Sequence, residues 1–138
     1  MRAVVQRVSS AAVRVGGSTV SEIGPGLLVL LGVADGDGSE QAERMAGKLL
    51  KLRVFPDARG RMSEDLGERE MLCVSQFTLC GDTSKGNRPS FLGAAPPEIA
   101  EPLYLEVCER TGAHRGVFGA DMEVMMLGDG PVTVVLEA

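Results

Sequence analysis

The chain has 138 residues, a formal net charge of −5 and a hydrophobic fraction of 44%, which together indicate one globular domain rather than a disordered segment. Its three scattered cysteines include no C-x-x-C pair, which argues against a disulfide framework or a zinc finger and favours a reducing, cytoplasmic location. The acidic balance argues against a protein that coats nucleic acid, because non-specific binding needs many cationic contacts to phosphates.

Three strands are predicted in the first part of the chain. Valines recur through the first fifteen residues and predict a strand, and Gly16-Gly17 predicts a tight hairpin turn after it. A short strand follows over 20–23, and Gly24-Pro25-Gly26 predicts the next turn. The run 27–33 is apolar on both faces, which is typical of a central strand covered on both sides, and it is too short to cross a membrane.

Two helices are predicted, one before and one after a second buried strand at 70–77 in the sequence. Ser39 is the candidate N-cap of the first helix, and Glu40 suits its positive end. Five apolar positions then share a helical period: Ala42, Met45, Ala46, Leu49 and Leu52. Pro96-Pro97 opens the second helix, which is expected to end near Gly112.

The remaining segments complete an α+β domain. Residues 81–97 are rich in Gly, Pro, Asp and Ser and predict a long loop, and such loops in compact domains are commonly functional. Residues 117–136 alternate like a strand pair joined by a turn at 128–131. Because strands outnumber helices, we predict a single domain over 1–138 with a mixed, largely antiparallel, barrel-like sheet and two main helices.

Conventional catalytic motifs are missing from the sequence. His114 is the only histidine and lies in a polar connector, so we interpret it as a surface residue rather than a member of a catalytic triad. The acidic loop at 35–40 lacks the glycine and glutamate positions of a calcium-binding loop, and no group of residues has metal-ligand spacing. The sequence therefore predicts chemistry without a metal, a cofactor or a conventional side-chain base.

Two segments are candidates for that chemistry. Residues 75–79 (Ser-Gln-Phe-Thr-Leu) follow the second buried strand at the mouth of the long loop, where consecutive backbone N–H groups can form an oxyanion hole. An ordinary strand edge is the alternative for this segment. Residues 128–133 could present backbone carbonyls to a ligand, although a plain hairpin turn fits the same composition.

Five ordered blocks of the chain resemble the D-aminoacyl-tRNA deacylases, almost from end to end. The blocks are 6–13, 24–33, 75–91, 118–122 and 129–133. This resemblance implies a homodimer that hydrolyses the ester between a D-amino acid and the 3′-terminal adenosine of tRNA. Two alternatives stay open, namely a non-catalytic dimeric module that binds RNA or protein, and a hydrolase of another small ester. The intact blocks at 75–79 and 130–133 speak against the first alternative.

The resemblance also implies roles for the two candidate segments. The first segment lines the catalytic pocket, with Ser75, Gln76, Phe77 and Thr78 as catalytic residues and Leu79 as a substrate contact. Gly130-Pro131 is implied to be a cis dipeptide that enters the partner subunit's pocket. There its carbonyls hold the α-ammonium of the substrate and leave no room for an L side chain. Gly128 departs from the family, which usually has Asn at that position, and Ser75 and Phe77 favour the D-selective branch over the animal-type deacylases.

Three further residues carry an expectation and an alternative each. Arg7 is expected to brace the Gly-Pro loop, or else to be a solvated strand arginine. Phe118 is a candidate stacking face for the terminal adenine, and Met122 is a candidate pocket wall, with plain core positions as the alternatives.

The expected mechanism uses the backbone and the substrate. Backbone N–H groups around Phe77 and Thr78 hold the carbonyl oxygen, and the ribose 2′-hydroxyl activates water, with a Thr78 nucleophile as the competing version. Glycine has no side chain to reject, so the sequence interpretation predicts that Gly-tRNA is cleaved as well.

Overall fold

Eight strands, two helices and one 3₁₀ turn make up the computed structural model, which describes residues 1–138. The strands are β1 (Arg2–Val15), β2 (Ser18–Ile23), β3 (Gly26–Gly32), β4 (Phe55–Pro56), β5 (Met62–Glu64), β6 (Glu70–Ser75), β7 (His114–Arg115) and β8 (Glu123–Glu137). The helices are α1 (Ser39–Lys51) and α2 (Pro97–Thr111), and the 3₁₀ turn spans Phe77–Cys80. The predicted α+β class with a mixed sheet and two main helices is confirmed. Neither helix has the length and apolar character that crossing a membrane requires.

β1 is the strand on which most of the sheet is assembled. Its first half pairs antiparallel with β3, its second half pairs with β2, and β8 runs along its other edge. β3 pairs parallel with β6, and β6 pairs parallel with β7. The Ser21 hydroxyl of β2 donates to the Arg115 carbonyl of β7 over 2.5 Å, so the two ends of the curled sheet meet and the barrel is nearly closed.

β3 is buried on both of its faces, as the apolar run predicted. Leu27, Val29 and Leu31 belong to the core between the sheet and the two helices, while Leu28 belongs to the cluster that fills the barrel. That cluster contains Val8, Ala11, Val13, Ile23, Leu28, Leu72 and Val74. Alternate residues of one strand therefore support two separate cores, which is why the strand reads as continuously apolar.

A buried hydrogen bond ties α2 to the centre of the sheet. The Tyr104 hydroxyl donates to the Cys73 carbonyl of β6 over 2.8 Å. Burial raises the pKa of the Tyr104 phenol, so the hydroxyl stays protonated and able to donate at neutral pH. The Cys73 and Cys108 thiols are buried in the same core and are free, as is Cys80.

The prediction of a strand pair near the C-terminus is wrong, because residues 123–137 form the single strand β8. β8 pairs with β1 on both sides of the expected turn, through Gln6 with Thr133 and Val8 with Gly128. A step of two residues along β1 (6 to 8) thus faces a step of five along β8 (128 to 133), and residues 129–132 bulge out of the ladder. The segment has the composition of a turn, but β1 is long enough to pair with both halves and keeps the chain running forward.

The start of α1 also differs from the prediction. Ser39 is the first helical residue, and the N-cap is Gly38, whose N–H donates to the Gln41 side chain over 2.9 Å. The Ser39 hydroxyl donates to Glu106 of α2 over 2.6 Å instead of capping its own helix. This hydrogen bond, together with Arg110, lowers the pKa of the Glu106 carboxyl. The small β4–β5 sheet, which pairs Phe55 with Glu64 and Pro56 with Met62, was not predicted.

Gly26→Ala tests how tightly β3 and β6 must approach. A Cβ at this position would lie 1.8 Å from the Glu70 carbonyl oxygen, so the two strands would have to separate. We expect the free energy of unfolding to fall by about 3 kcal/mol. Gly47→Ala is the control, since its Cβ meets nothing within 4 Å and alanine favours the helix by about 1 kcal/mol. Urea unfolding followed by circular dichroism measures both variants, and equal unfolding midpoints would contradict the prediction.

Candidate functional site

A cavity of about 620 Å³ opens where β6 ends and the 3₁₀ turn begins. Its walls come from Val33 and from the segments 74–77, 91–100 and 118–124. The fold therefore brings Ser75, Gln76 and Phe77 together with Phe118 and Met122, although these two groups are distant in the sequence. Thr78 and Leu79 lie in the adjoining 3₁₀ turn and are not part of the cavity wall.

Gly32 allows the 3₁₀ turn to fold over the end of β3. The Gln76 N–H donates to the Leu31 carbonyl over 2.8 Å, just beyond the paired residues of β3 and β6. A Cβ on Gly32 would lie 2.9 Å from the Gln76 carbonyl oxygen and 3.1 Å from the Leu79 Cβ. A larger residue at position 32 would push the turn outward, so the position of the turn depends on this glycine.

The first two amides of the 3₁₀ turn are available to a ligand. The internal hydrogen bonds of the turn begin with the Leu79 N–H, which donates to the Gln76 carbonyl over 3.2 Å. The earlier N–H groups, those of Phe77 and Thr78, have neither a loop carbonyl nor a side chain as acceptor, and both residues are exposed. Two consecutive unpaired donors beside a cavity are the arrangement that a developing oxyanion requires.

The Thr78 hydroxyl is oriented but has no base. Its Oγ1 lies 2.6 Å from Nε2 of Gln76, which donates to it. No histidine, lysine or carboxylate is a hydrogen-bond partner of this hydroxyl, so no neighbouring group is placed to take its proton. The geometry suits a hydroxyl that positions a substrate more than one that attacks it.

Two aromatic rings form the outer wall of the cavity. The Phe77 and Phe91 rings meet edge to face, with centroids 5.2 Å apart and an interplanar angle of 71°. The sequence analysis assigned no role to Phe91, although an aromatic residue in a Gly- and Pro-rich loop is a candidate for a ligand contact. Asp121 was also missed, and its carboxylate is the one acidic side chain on the wall.

Phe118 and Met122 also line the cavity. The Phe118 ring also packs against Tyr104, with centroids 6.0 Å apart, so one face of this residue belongs to the core. The Met122 sulfur accepts the Val117 N–H over 3.4 Å, and it is packed so closely that a Cβ on Gly116 would lie 2.7 Å from it. Both side chains are therefore held in place before any substrate binds.

Gly130-Pro131 lies away from the cavity of its own chain. The peptide bond is cis, and both residues are exposed in the bulge of β8. The bulge of β8 lies opposite Arg7 of β1. Arg7 pairs with Leu27 of β3, and Leu27 pairs with Met71 of β6. Ser75 is four residues further along β6 (71 to 75), a distance of roughly 13 Å along the strand. The two predicted halves of the site are thus separated within one chain.

Arg7 holds the bulge from beneath. Its Nε donates to the Asp129 carbonyl over 3.3 Å and lies 3.2 Å from the Asp129 carboxylate. Its Nη1 donates to the Val54 carbonyl over 2.7 Å, and the side chain is only 12% exposed. These contacts are those of a bracing residue and not of a solvated arginine.

His114 is outside the cavity. Its Nε2 lies 3.0 Å from a carboxylate oxygen of Glu70, at the opposite end of β6 from Ser75. The chain has no group of three or more His, Cys, Asp or Glu side chains arranged to hold a metal ion.

Comparison with known proteins identifies the family. The family model for D-Tyr-tRNA(Tyr) deacylase matches residues 4–137. The chain belongs to this family. The D-aminoacyl-tRNA deacylase of Dehalococcoides mccartyi strain CBDB1 is 54% identical, over 100% of this chain and 95% of the relative. That of Anaeromyxobacter dehalogenans is 52% identical, over 100% and 97%. The chain is therefore a deacylase that hydrolyses D-aminoacyl-tRNA.

Two solved structures share the fold of this deacylase. A structure described as c-Myc DNA Unwinding Element Binding Protein is 44% identical, with a TM-score of 0.95 over 100% of this chain and 99% of that chain. A probable eukaryotic D-amino acid tRNA deacylase is 18% identical, with a TM-score of 0.87 over 99% and 98%. The second likeness shows the fold alone.

Proposed function

We propose that the deacylase cleaves the ester between a D-amino acid or glycine and the 3′-terminal adenosine of tRNA in the cavity at the end of β6. The unpaired N–H groups of Phe77 and Thr78 beside this cavity are the observation that carries the proposal. An aminoacyl ester is already activated, so positioning and oxyanion stabilisation suffice, each donor contributing roughly 10²–10³ in rate. The reaction is placed in the cytoplasm, where aminoacyl-tRNA is used.

The chemical step is hydrolysis by one water molecule. Water adds to the ester carbon while the carbonyl oxygen, held by the Phe77 and Thr78 amides, takes the negative charge. The ribose 2′-hydroxyl accepts a proton from the water and passes one to the 3′-oxygen. The bond between the ester carbon and that oxygen then breaks, releasing the free amino acid and tRNA. The Thr78 hydroxyl, held by Gln76, orients the ester, and Phe118 offers a stacking face for the adenine.

In this proposal a second copy of the chain selects D-amino acids over L-amino acids. Because Gly130-Pro131 is exposed and far from its own cavity, we place it in the cavity of the partner in a homodimer. There its backbone carbonyls hold the α-ammonium and block the direction that an L side chain would take. Backbone atoms cannot rotate aside, so such a wall rejects more strongly than an apolar pocket does. Part of β8 offers apolar surface for a partner to cover, with exposures of 38–62%: Val124, Met125, Met126 and Leu127.

Purified enzyme should cleave D-Tyr-tRNA and Gly-tRNA and spare L-Tyr-tRNA by at least about 10³-fold. The physical reason is that glycine has no side chain for the partner's dipeptide to reject. Release of labelled amino acid from each substrate measures the three rates. Cleavage of D-Tyr-tRNA with every Gly-tRNA spared would overturn the steric account. Cleavage of none of the three would favour a non-catalytic binding module.

Thr78→Ala should keep kcat within about tenfold of the wild type, because the hydroxyl positions the ester and does not attack it.

A substrate with a 2′-deoxy terminal adenosine should instead react at least about 10²-fold more slowly, since it lacks the group that relays the proton. Single-turnover rates on the normal and deoxy substrates provide the comparison. Loss of turnover in Thr78→Ala with unchanged substrate binding would support a threonine nucleophile.

Subunit complementation tests whether the site is shared. Phe77→Pro removes one N–H donor of the cavity, and Pro131→Arg places a charge on the exposed loop, so each variant alone should be inactive. After subunit exchange in an equimolar mixture, half of the dimers are mixed, and each of these has one working site made of one intact cavity and one intact loop. About a quarter of the wild-type activity should therefore return. Phe77→Ala, which keeps the N–H, is the matched control for the loss of the ring. A mixture with no recovered activity, despite exchange shown by mass spectrometry, would mean that each chain works alone.

A further inference from the structure

We propose that Lys85 and Arg88 bind the phosphates of the last nucleotides of the tRNA acceptor strand and thereby position its terminal adenosine in the cavity. This inference rests on the proposed function and adds a second contact region outside the cavity. It concerns a basic hairpin, defined here as residues 82–90.

The basic hairpin has a fixed base. Asp82 and Ser90 exchange two backbone hydrogen bonds of 2.8 Å, which join the two ends of the segment. The Asp82 carboxylate accepts the Ser84 N–H over 2.8 Å and the Ser84 hydroxyl over 3.0 Å, and these hydrogen bonds lower its pKa. Gly86 donates to the Thr83 carbonyl over 3.3 Å and closes the tip. The two cations are therefore carried on a folded turn.

The basic hairpin stands at the mouth of the cavity. Phe91 follows it directly, lines the cavity and packs edge to face on Phe77. When the terminal adenosine of the tRNA occupies the cavity, the rest of the acceptor strand extends away from it as a chain of phosphodiesters. The chemistry that the hairpin can meet there is a row of negative charges.

Lys85 and Arg88 are uncompensated within the chain. Both are exposed, and neither takes part in an ion pair or donates a side-chain hydrogen bond, whereas arginines such as Arg7, Arg44 and Arg110 are paired with carboxylates. The one carboxylate of the hairpin, Asp82, is engaged by Ser84. In a chain of net charge −5, two free cations beside the cavity offset local repulsion of the tRNA backbone. Lysine and arginine are the side chains that contact phosphates most effectively.

The test replaces both cations and removes the phosphates in turn. With Lys85→Gln and Arg88→Gln combined, kcat/KM on D-Tyr-tRNA should fall at least about tenfold at low ionic strength, mainly through KM. The same variant should hydrolyse D-Tyr-adenosine, which has no phosphate, at the wild-type rate. The slope of log kcat/KM against log salt concentration should become shallower by about 0.7 for each lost phosphate contact.

Two further double variants act as controls. The first tests whether removing cations anywhere on the surface has the same effect, and the second tests whether charge alone at positions 85 and 88 is sufficient. Lys51→Gln combined with Arg59→Gln removes two exposed cations outside the hairpin and the cavity wall, and it should leave the tRNA rate unchanged. Lys85→Arg combined with Arg88→Lys keeps both charges and should restore the tRNA rate.

The outcomes distinguish this proposal from the proposed function. An equal loss on D-Tyr-tRNA and D-Tyr-adenosine would overturn the phosphate contact, because the hairpin would then be supporting the cavity. No loss on either substrate would overturn it as well. If the wild type cleaves neither substrate, it is the proposed function that fails.

Discussion

The parallel pairing of β3 with β6 is the contact on which both the fold and the site depend. A glycine stands at each end of β3, because Gly26 faces the Glu70 carbonyl and Gly32 faces the Gln76 carbonyl at distances that no Cβ permits. This approach seals the barrel on one face of β3 and the helical core on the other. It also determines where β6 stops and where the 3₁₀ turn starts. The free amides of Phe77 and Thr78 therefore owe their position to two glycines that touch no substrate.

The proposed site is made of backbone groups, and this would explain why the composition gives so little sign of catalysis. Every residue has a backbone carbonyl and every residue except proline has a backbone N–H, so their use leaves no excess of histidine, cysteine or metal ligands in the sequence. His114 pairs with Glu70, and Cys73 and Cys108 fill the core. The chemistry proposed for the cavity suits an activated ester whose own hydroxyl group can relay a proton.

The distance between the cavity and the Gly-Pro bulge within one chain is the physical reason for proposing a dimer. Arg7 and the bulged register of β8 hold Gly130-Pro131 at the surface, where the dipeptide cannot reach the cavity of its own chain. A rigid element supplied by a second subunit can be shaped for rejection without having to fold around the substrate. Ester hydrolysis and chiral selection are then assigned to different chains, and under the phosphate-contact proposal an acidic protein meets tRNA through local cations near the cavity.

Local patterns in the sequence determined much of the fold. The Gly16-Gly17 turn, the doubly covered strand β3, the apolar period of α1 and the proline start of α2 all follow from short-range geometry, and all are present. The segment 75–79 was a candidate on the same grounds, because a buried strand that ends in a polar loop exposes its amides, but the pattern alone also fitted an ordinary strand edge, and the family resemblance supplied the proposed role.

Tertiary structure alone decided the rest. Residues 128–131 have the composition of a turn, yet the chain does not turn back there. Residues 129–132 form a bulge instead, because β1 pairs with Gly128 before it and with Thr133 after it. Ser39 suits a helix cap, yet its hydroxyl binds Glu106 of another helix. The meeting of Phe77 with Phe118 and Met122 across one cavity likewise depends on how distant segments pack. Propensity is a property of neighbouring residues, whereas strand partners, side-chain contacts and cavities are set by residues far away in the chain.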